Sequence, residues 1–373
     1  MSLGLTPTCS ATDDATRWLV FVGTYTGGKS QGIYAFRFHA GSGEVSPLGL
    51  AAEVKNPSFL DTDPTGRFLC AVGELGEFRG VKTGAVSAFA VERETGKLRL
   101  LNQVSSGGEG PCHVAVDRTG RWVFVANYGG GSVAMLPVRP DGHLGEPAAL
   151  FQHQGSSVHP QRQQRPHAHG VTLSPDQRFL FVPDLGLDKV MAYRFDAGAG
   201  TLQPAPLPFA ALPPGAGPRH FTFHPGGLFA FAINELNSTV TSFAYDAERG
   251  SLSQLKSLPT LPRDFTGQNT TAEIEVHPNG RFLYASNRGH DSLAVFEVTP
   301  RTGALRAAGH VPTGGKTPRN FALEPGGRWL WAANQGSDNI VLFRVDPETG
   351  KLTPSGTVLE VGAPVCVEFL RSE

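Results

Sequence analysis

Cysteine is scarce. Only Cys9, Cys70, Cys112 and Cys366 occur, scattered without metal-ligand spacing, so free thiols in a reducing compartment are the default expectation. Charge of one sign is missing too: 32 basic residues face 33 acidic ones, which gives no reason to expect nucleic acid or an anionic membrane as partner. No apolar run approaches the roughly 18 residues of a membrane span. The N-terminal stretch has neither a charged start nor an apolar segment, so no secretory signal is expected and the chain reads as cytoplasmic. There is no P-loop, no G-x-G-x-x-G fingerprint and no G-x-S-x-G elbow. The triplet Gly129–Gly131 reads as a turn between strands, without the helix that would hold a phosphate.

Glycine (46) and proline (29) are abundant, about a fifth of the 373 residues, and 40% of the chain is apolar. That composition suits a large, turn-rich core and excludes disorder. A repeat organises it. DPTGRFLCAVG (63–73), DRTGRWVFVAN (117–127), SPDQRFLFVPD (174–184), HPGGLFAFAIN (224–234), HPNGRFLYASN (277–287) and EPGGRWLWAAN (324–334) are copies of one line. A degenerate copy begins at Arg17. From Arg17 through Arg67, Arg121, Arg178, Leu228, Arg281 and Arg328 the steps are 50, 54, 57, 50, 53 and 47 residues.

Each unit reads as strands. The marker opens a run of five or six apolar residues, too short for a helix. A second strand follows, then a Gly-bearing hairpin such as ERETGKL or DPETGKL, then a short, proline-broken last strand. An apolar strand precedes the marker. Four antiparallel strands in seven units describe an all-β fold, a seven-bladed β-propeller over residues 17–373. Residues 1–16 are expected to form a flexible segment before it. The first unit lacks its leading strand, and PVCVEFL (364–370) has the missing pattern. We expect it to pair beside residues 18–23 and close the ring.

Aligning the repeats shows which side chains converge on one face. Six residues past the marker stand Asn127, Asp184, Asn234, Asn287 and Asn334, a column that turn chemistry explains. One position on, the repeats diverge: Glu74, Tyr128, Leu185, Glu235, Arg288 and Gln335, with His290 nearby. The strand that leads into each marker gives Cys112-His113, His169-Gly170, Arg219-His220, Ala272-Glu273 and Arg319-Asn320, with His167 just upstream. His113, His167, His169, Arg219, His220, Glu235, Glu273, Arg288, His290, Arg319 and Gln335 are therefore placed around one channel mouth. Each alone has a structural explanation; together they predict a small-molecule site. The insertion 151–169 enters on the same face, where His159, Arg162 and Arg165 could reach over the mouth, and so does 261–273. Histidines set among arginines speak against a metal.

The strings RPHAHG (165–170), GPRH (217–220), INELNSTV (233–240), SNRGHDS (286–292) and PRNFALEPGGRWLWAAN (318–334) resemble the seven-bladed lactonase family of propeller-type 6-phosphogluconolactonases and carboxy-cis,cis-muconate cyclases. The resemblance implies hydrolysis of a small anionic lactone without a cofactor, 6-phospho-D-glucono-1,5-lactone above all. It points to His169, Arg219, Glu235 and Arg288 as catalytic residues: His169 as base, the arginines as anion clamps, Glu235 as orienting acid or base. His113, His167, His220, Glu273, His290, Arg319 and Gln335 would bind substrate. His167 and His169 could exchange roles. A lactonising cyclase and a non-catalytic binding platform are the alternatives. A metal-dependent six-bladed gluconolactonase fits neither the seven repeats nor the arginines.

Overall fold

The computed structural model describes residues 16–372. The segment 1–16, expected to be flexible, lies outside them as far as residue 15. Seven four-stranded antiparallel sheets follow one another around a ring. The marker runs form the second strand of each blade: Arg17–Thr24, Phe68–Gly73, Trp122–Asn127, Phe179–Asp184, Phe229–Asn234, Phe282–Arg288 and Trp329–Asn334. These strands are buried on both faces, which is why they read as continuous apolar runs. One apolar cluster fills each junction between neighbouring blades. Phe221, Phe181 and Phe243 seal blades four and five, for example, and Trp331, Phe38 and Val367 seal seven and one.

Closure occurs as expected. Pro364–Arg371 pairs with Arg17–Thr24, in register from Trp18↔Arg371 to Gly23↔Cys366, so the last strand is the innermost strand of blade one. Phe369 packs edge-on against Trp18, Phe38 and Trp331, while Cys366 and Leu370 turn toward blade two.

The outer strands correct one expectation. Most are long, not short: Glu44–Glu53 has 10 residues and Thr201–Ala211 has 11, with Ala149–Gln152 the exception at 4. Proline is tolerated because the outer edge pairs with nothing and the ladder can skip residues. In blade four the pairing jumps from Met191↔Phe209 to Tyr193↔Pro204. The hairpin glycines do two jobs. Gly350 has φ 69°, and a Cβ there would lie 2.3 Å from the Phe282 ring of the preceding blade.

Candidate active site

A β-bulge sits at the same place in several inner strands. Pro111↔Asn127 is followed by His113↔Ala126, Pro218↔Asn234 by His220↔Ile233, and Pro318↔Asn334 by Asn320↔Ala333. The residues left unpaired are Cys112, Arg219 and Arg319. Bulges re-aim side chains, and here they take these three out of the ladder, Cys112 and Arg319 onto the cavity wall and Arg219 behind it. The Asx column does what turn chemistry requires: Asn127, Asn287 and Asn334 donate through Nδ2 to the carbonyls of Ser106, Thr260 and Thr313.

Between these groups lies a cavity of about 360 Å³, lined by Tyr25, Glu74, Cys112, Tyr128, Arg162, His169, Glu235, Thr270, Arg288 and Arg319. All seven blades contribute. Three guanidiniums face two carboxylates on this wall, leaving a surplus of one positive charge.

Glu235 is the electrostatic hub. Its Oε1 accepts from Arg162 Nη2 at 2.6 Å, and its Oε2 lies 2.9 Å from Arg288 Nη2 and 3.2 Å from Arg219 Nε. The last contact is an ion pair without hydrogen-bond alignment, and the buried Nε of Arg288 also has no acceptor. Burial would raise the Glu235 pKa, but Arg288, Arg219 and Arg162 overcome it and hold the carboxyl at about 2. Glu235 is thus a fixed anion that orders arginines, not a proton donor at neutral pH. Arg219 and Arg288 are further held by the carbonyls of Ala272 and Thr271, at 2.7 Å each. Burial, with Arg319 and Arg288 adding, lowers Arg219 to about 9, so it stays charged at pH 7.

His169 lines the cavity with its Nδ1 3.5 Å from Cys112 Sγ, and its Nε2 makes no hydrogen bond to any described residue. Burial, then the charges of Arg219, His220 and Arg319, push its pKa well below 6.5. The ring is neutral and can take a proton. Beneath it His220 is locked in one tautomer: Nδ1–H donates to Glu273 Oε1 at 2.8 Å, and Nε2 accepts from Arg219 Nη1 at 3.1 Å. His113 stacks on Phe59 and meets His220 edge-on.

The predicted residues therefore fall into three groups. His169, Glu235, Arg288 and Arg319 stand on the wall. Arg219, His220, Glu273 and His113 lie behind it; Arg219, 3% exposed, supports Glu235 and His220. His167 stacks on Tyr128 and bonds that residue's carbonyl at 2.9 Å, outside the lining. His290, bonded to Ser292 Oγ, and Gln335, opening a short 3-10 turn, also lie outside it. Of His159, Arg162 and Arg165 on the insertion, Arg162 alone reaches the wall. The loop is tied down from within: His153 bonds Asp184 at 2.6 Å, and Gln163 Nε2 donates to Leu185 O and Asp188 Oδ1.

Reading the alignment missed Glu74, Tyr128 and Cys112 as wall residues, although all three stood in the divergent columns. Tyr25 had no such signal, lying one position beyond the column in the degenerate first copy. Among the described residues no cluster of three or more His, Cys, Asp or Glu side chains is set to hold a metal ion. No described helix is long and apolar enough to cross a membrane.

Comparison with known proteins agrees on the family. The family model for a lactonase with a seven-bladed β-propeller matches residues 19–369. A 6-phosphogluconolactonase of Bacillus subtilis is 37% identical over 300 residues, covering 80% of this chain and 83% of its own. One from Formosa agariphila is 37% identical over 304 residues, covering 80% and 84%. The solved structure of a Pseudomonas aeruginosa periplasmic gluconolactonase superposes with a TM-score of 0.89 at 38% identity, covering 96% of this chain and all of its own.

Proposed function

This chain belongs to the seven-bladed β-propeller lactonase family, and on that premise we propose that it hydrolyses 6-phospho-D-glucono-1,5-lactone to 6-phosphogluconate without a cofactor. The observation that carries the substrate is the arginine surplus of the cavity: Arg162, Arg288 and Arg319 against Glu74 and Glu235. One developing oxyanion engages two of these guanidiniums, Arg288 and Arg319, and leaves Arg162. A phosphate remote from the carbonyl uses the rest, and its binding contributes to the barrier at the carbonyl. A volume of about 360 Å³ suits one small sugar derivative.

In this reading His169 Nε2 takes a proton from the attacking water as the new carbon–oxygen bond forms. Arg288 and Arg319 stabilise the tetrahedral oxyanion. The acyl–oxygen bond then breaks, and the ring oxygen leaves as a hydroxyl with the proton returned by His169. Glu235 keeps Arg162 and Arg288 at fixed positions. Arg219 acts from behind the wall, through Glu235 and His220. Residence in the cytoplasm, and a place in the pentose phosphate pathway, are part of the same proposal.

The Pseudomonas neighbour's name, a periplasmic gluconolactonase, supports a second reading in which the unphosphorylated lactone is the substrate. One assay separates them. Purified protein should accelerate loss of the phosphorylated lactone well above its spontaneous rate, and prefer it over gluconolactone by about a hundredfold, as expected when arginines lose their partner. Equal rates on both would remove the phosphate argument. No rate on either would favour the cyclase or the binding platform.

A further inference from the structure

Of the wall contributed by blades one, two and seven, the mechanism above uses Arg319 alone. Glu74 Oε2 accepts two hydrogen bonds there, from Tyr25 Oη at 2.8 Å and Ser58 Oγ at 2.6 Å. Its Oε1 makes none with any described residue, yet Glu74 lines the cavity and is only half-buried. The other two carboxylates of the region differ. Both oxygens of Glu235 are taken by arginines, and both oxygens of Glu273, behind the wall, are taken by His220, Asn320 and the Ile274 amide. Glu74 therefore presents a carboxylate oxygen to the ligand space that the protein itself leaves unsatisfied.

Beside it stands a donor. Arg319 gives Nη2 to Tyr25 Oη at 2.8 Å and lies over the same ring, 5.2 Å from its centroid. Its other N–H groups make no hydrogen bond within the described residues. Tyr25 thus links the two, receiving from the guanidinium and giving to the carboxylate. Burial raises the phenol pKa, so that proton stays in place. A rigid acceptor next to a rigid donor matches neighbouring hydroxyls, each of which can donate and accept.

We propose that Glu74 and Arg319, held together by Tyr25, form a subsite for adjacent ring hydroxyls, and that this subsite selects a polyhydroxylated lactone over a polycarboxylated one. A hydroxyl donates to Glu74 Oε1 and accepts from Arg319. A carboxylate at the same place has no proton to donate and meets Glu74 with like charge. The inference rests on the lactonase reading and adds to it the residues that recognise the substrate's hydroxyls.

The test compares kcat/KM of the parent, Glu74→Ala and Glu74→Gln on 6-phosphogluconolactone and its 2-, 3- and 4-deoxy forms. The parent should lose about ten- to a hundredfold on at least one deoxy lactone, the usual scale for a hydrogen bond to a charged group. Glu74→Ala should treat that same pair almost alike. Inhibition by tricarballylate, a tricarboxylate, should tighten several-fold in Glu74→Gln, a gain that a merely damaged site would not give. Should Glu74→Ala fail to fold, Glu74→Gln, which still accepts from Tyr25 and Ser58, carries the test on the tricarballylate readout. A parent blind to every missing hydroxyl, variants that keep its discrimination, or unchanged tricarballylate inhibition would each overturn the subsite while leaving the lactonase reading intact. A parent inert on every lactone would overturn that reading and the subsite with it.

Discussion

Replacing Glu235 by Gln removes one negative charge from among three arginines. The parent carboxyl keeps its proton off down to about pH 2, against 4.5 ordinarily. At about 1.4 kcal/mol per tenfold change in proton affinity, that difference is worth about 3 kcal/mol of folding stability at neutral pH. The depressed pKa fixes the sign: the contribution is complete above pH 4.5 and is lost as pH falls toward 2. In Glu235→Gln, Arg219 is left buried at 3% exposure without its counter-charge, and the amide NH₂ must face one of the guanidiniums. For a chain of this length, unfolding entropy of roughly 0.8 kcal/mol/K turns about 3 kcal/mol into a melting shift of about 4 °C. Urea titrations followed by tryptophan fluorescence should show a parent–variant gap of about 3 kcal/mol at pH 7, still present at pH 5 and shrinking by pH 3. Lactone turnover should fall at least about a hundredfold, because Arg162 and Arg288 lose the anion that orders them. A gap that stays constant down to pH 3, or one below about 1 kcal/mol at pH 7, the worth of an exposed ion pair, would refute the buried-hub reasoning.

Deleting residues 363–373 removes buried Val365, Cys366, Val367 and Leu370. At roughly 1.5–3 kcal/mol each, the loss is of the order of the whole stability of a domain, so no soluble folded protein is expected and a parent-like melt would sink the closure. His169→Ala should cut kcat/KM at least about a hundredfold. In the parent, the acid limb of kcat/KM should lie well below pH 6.5, because burial and Arg219 keep His169 neutral; a midpoint at or above 6.5 contradicts that environment. Glu368, on the strand Pro364–Arg371, is raised to about 8 by burial and by Asp61. A raised carboxyl weakens the fold as pH climbs through 4.5 toward 8, so Glu368→Gln should raise the melting temperature at pH 8 and lose that advantage near pH 4.

The repeat was legible because every blade solves one packing problem with the same residues. A second strand buried on both faces needs an apolar run, and a hairpin over a neighbouring aromatic ring needs glycine at positive φ, as at Gly350 over Phe282. The first demand recurs in all seven blades and the second in six, Gly96 meeting Leu48 instead of a ring, and both survive in the one-dimensional pattern. So did the missing leading strand of blade one and its replacement by 364–370. The columns also gathered His169, Glu235, Arg288 and Arg319 without any knowledge of distance. What they could not give is depth. Arg219 and Arg319 hold the same bulged position in their blades, yet Arg219 lies behind Glu235 and Arg319 on the cavity wall. That difference depends on which groups the neighbouring blades supply: Glu235 and His220 around one, Tyr25 and the ligand space beside the other. His290 and Gln335 shared the right face by number, but their side chains do not line the cavity. Arg162 was one of three candidates on a long insertion, with His159 and Arg165, until Gln163 and His153 fixed the loop. A repeating backbone position is a local property that the sequence determines; which carboxylate keeps a free oxygen is settled by contacts between blades, and only the closed ring brings those together.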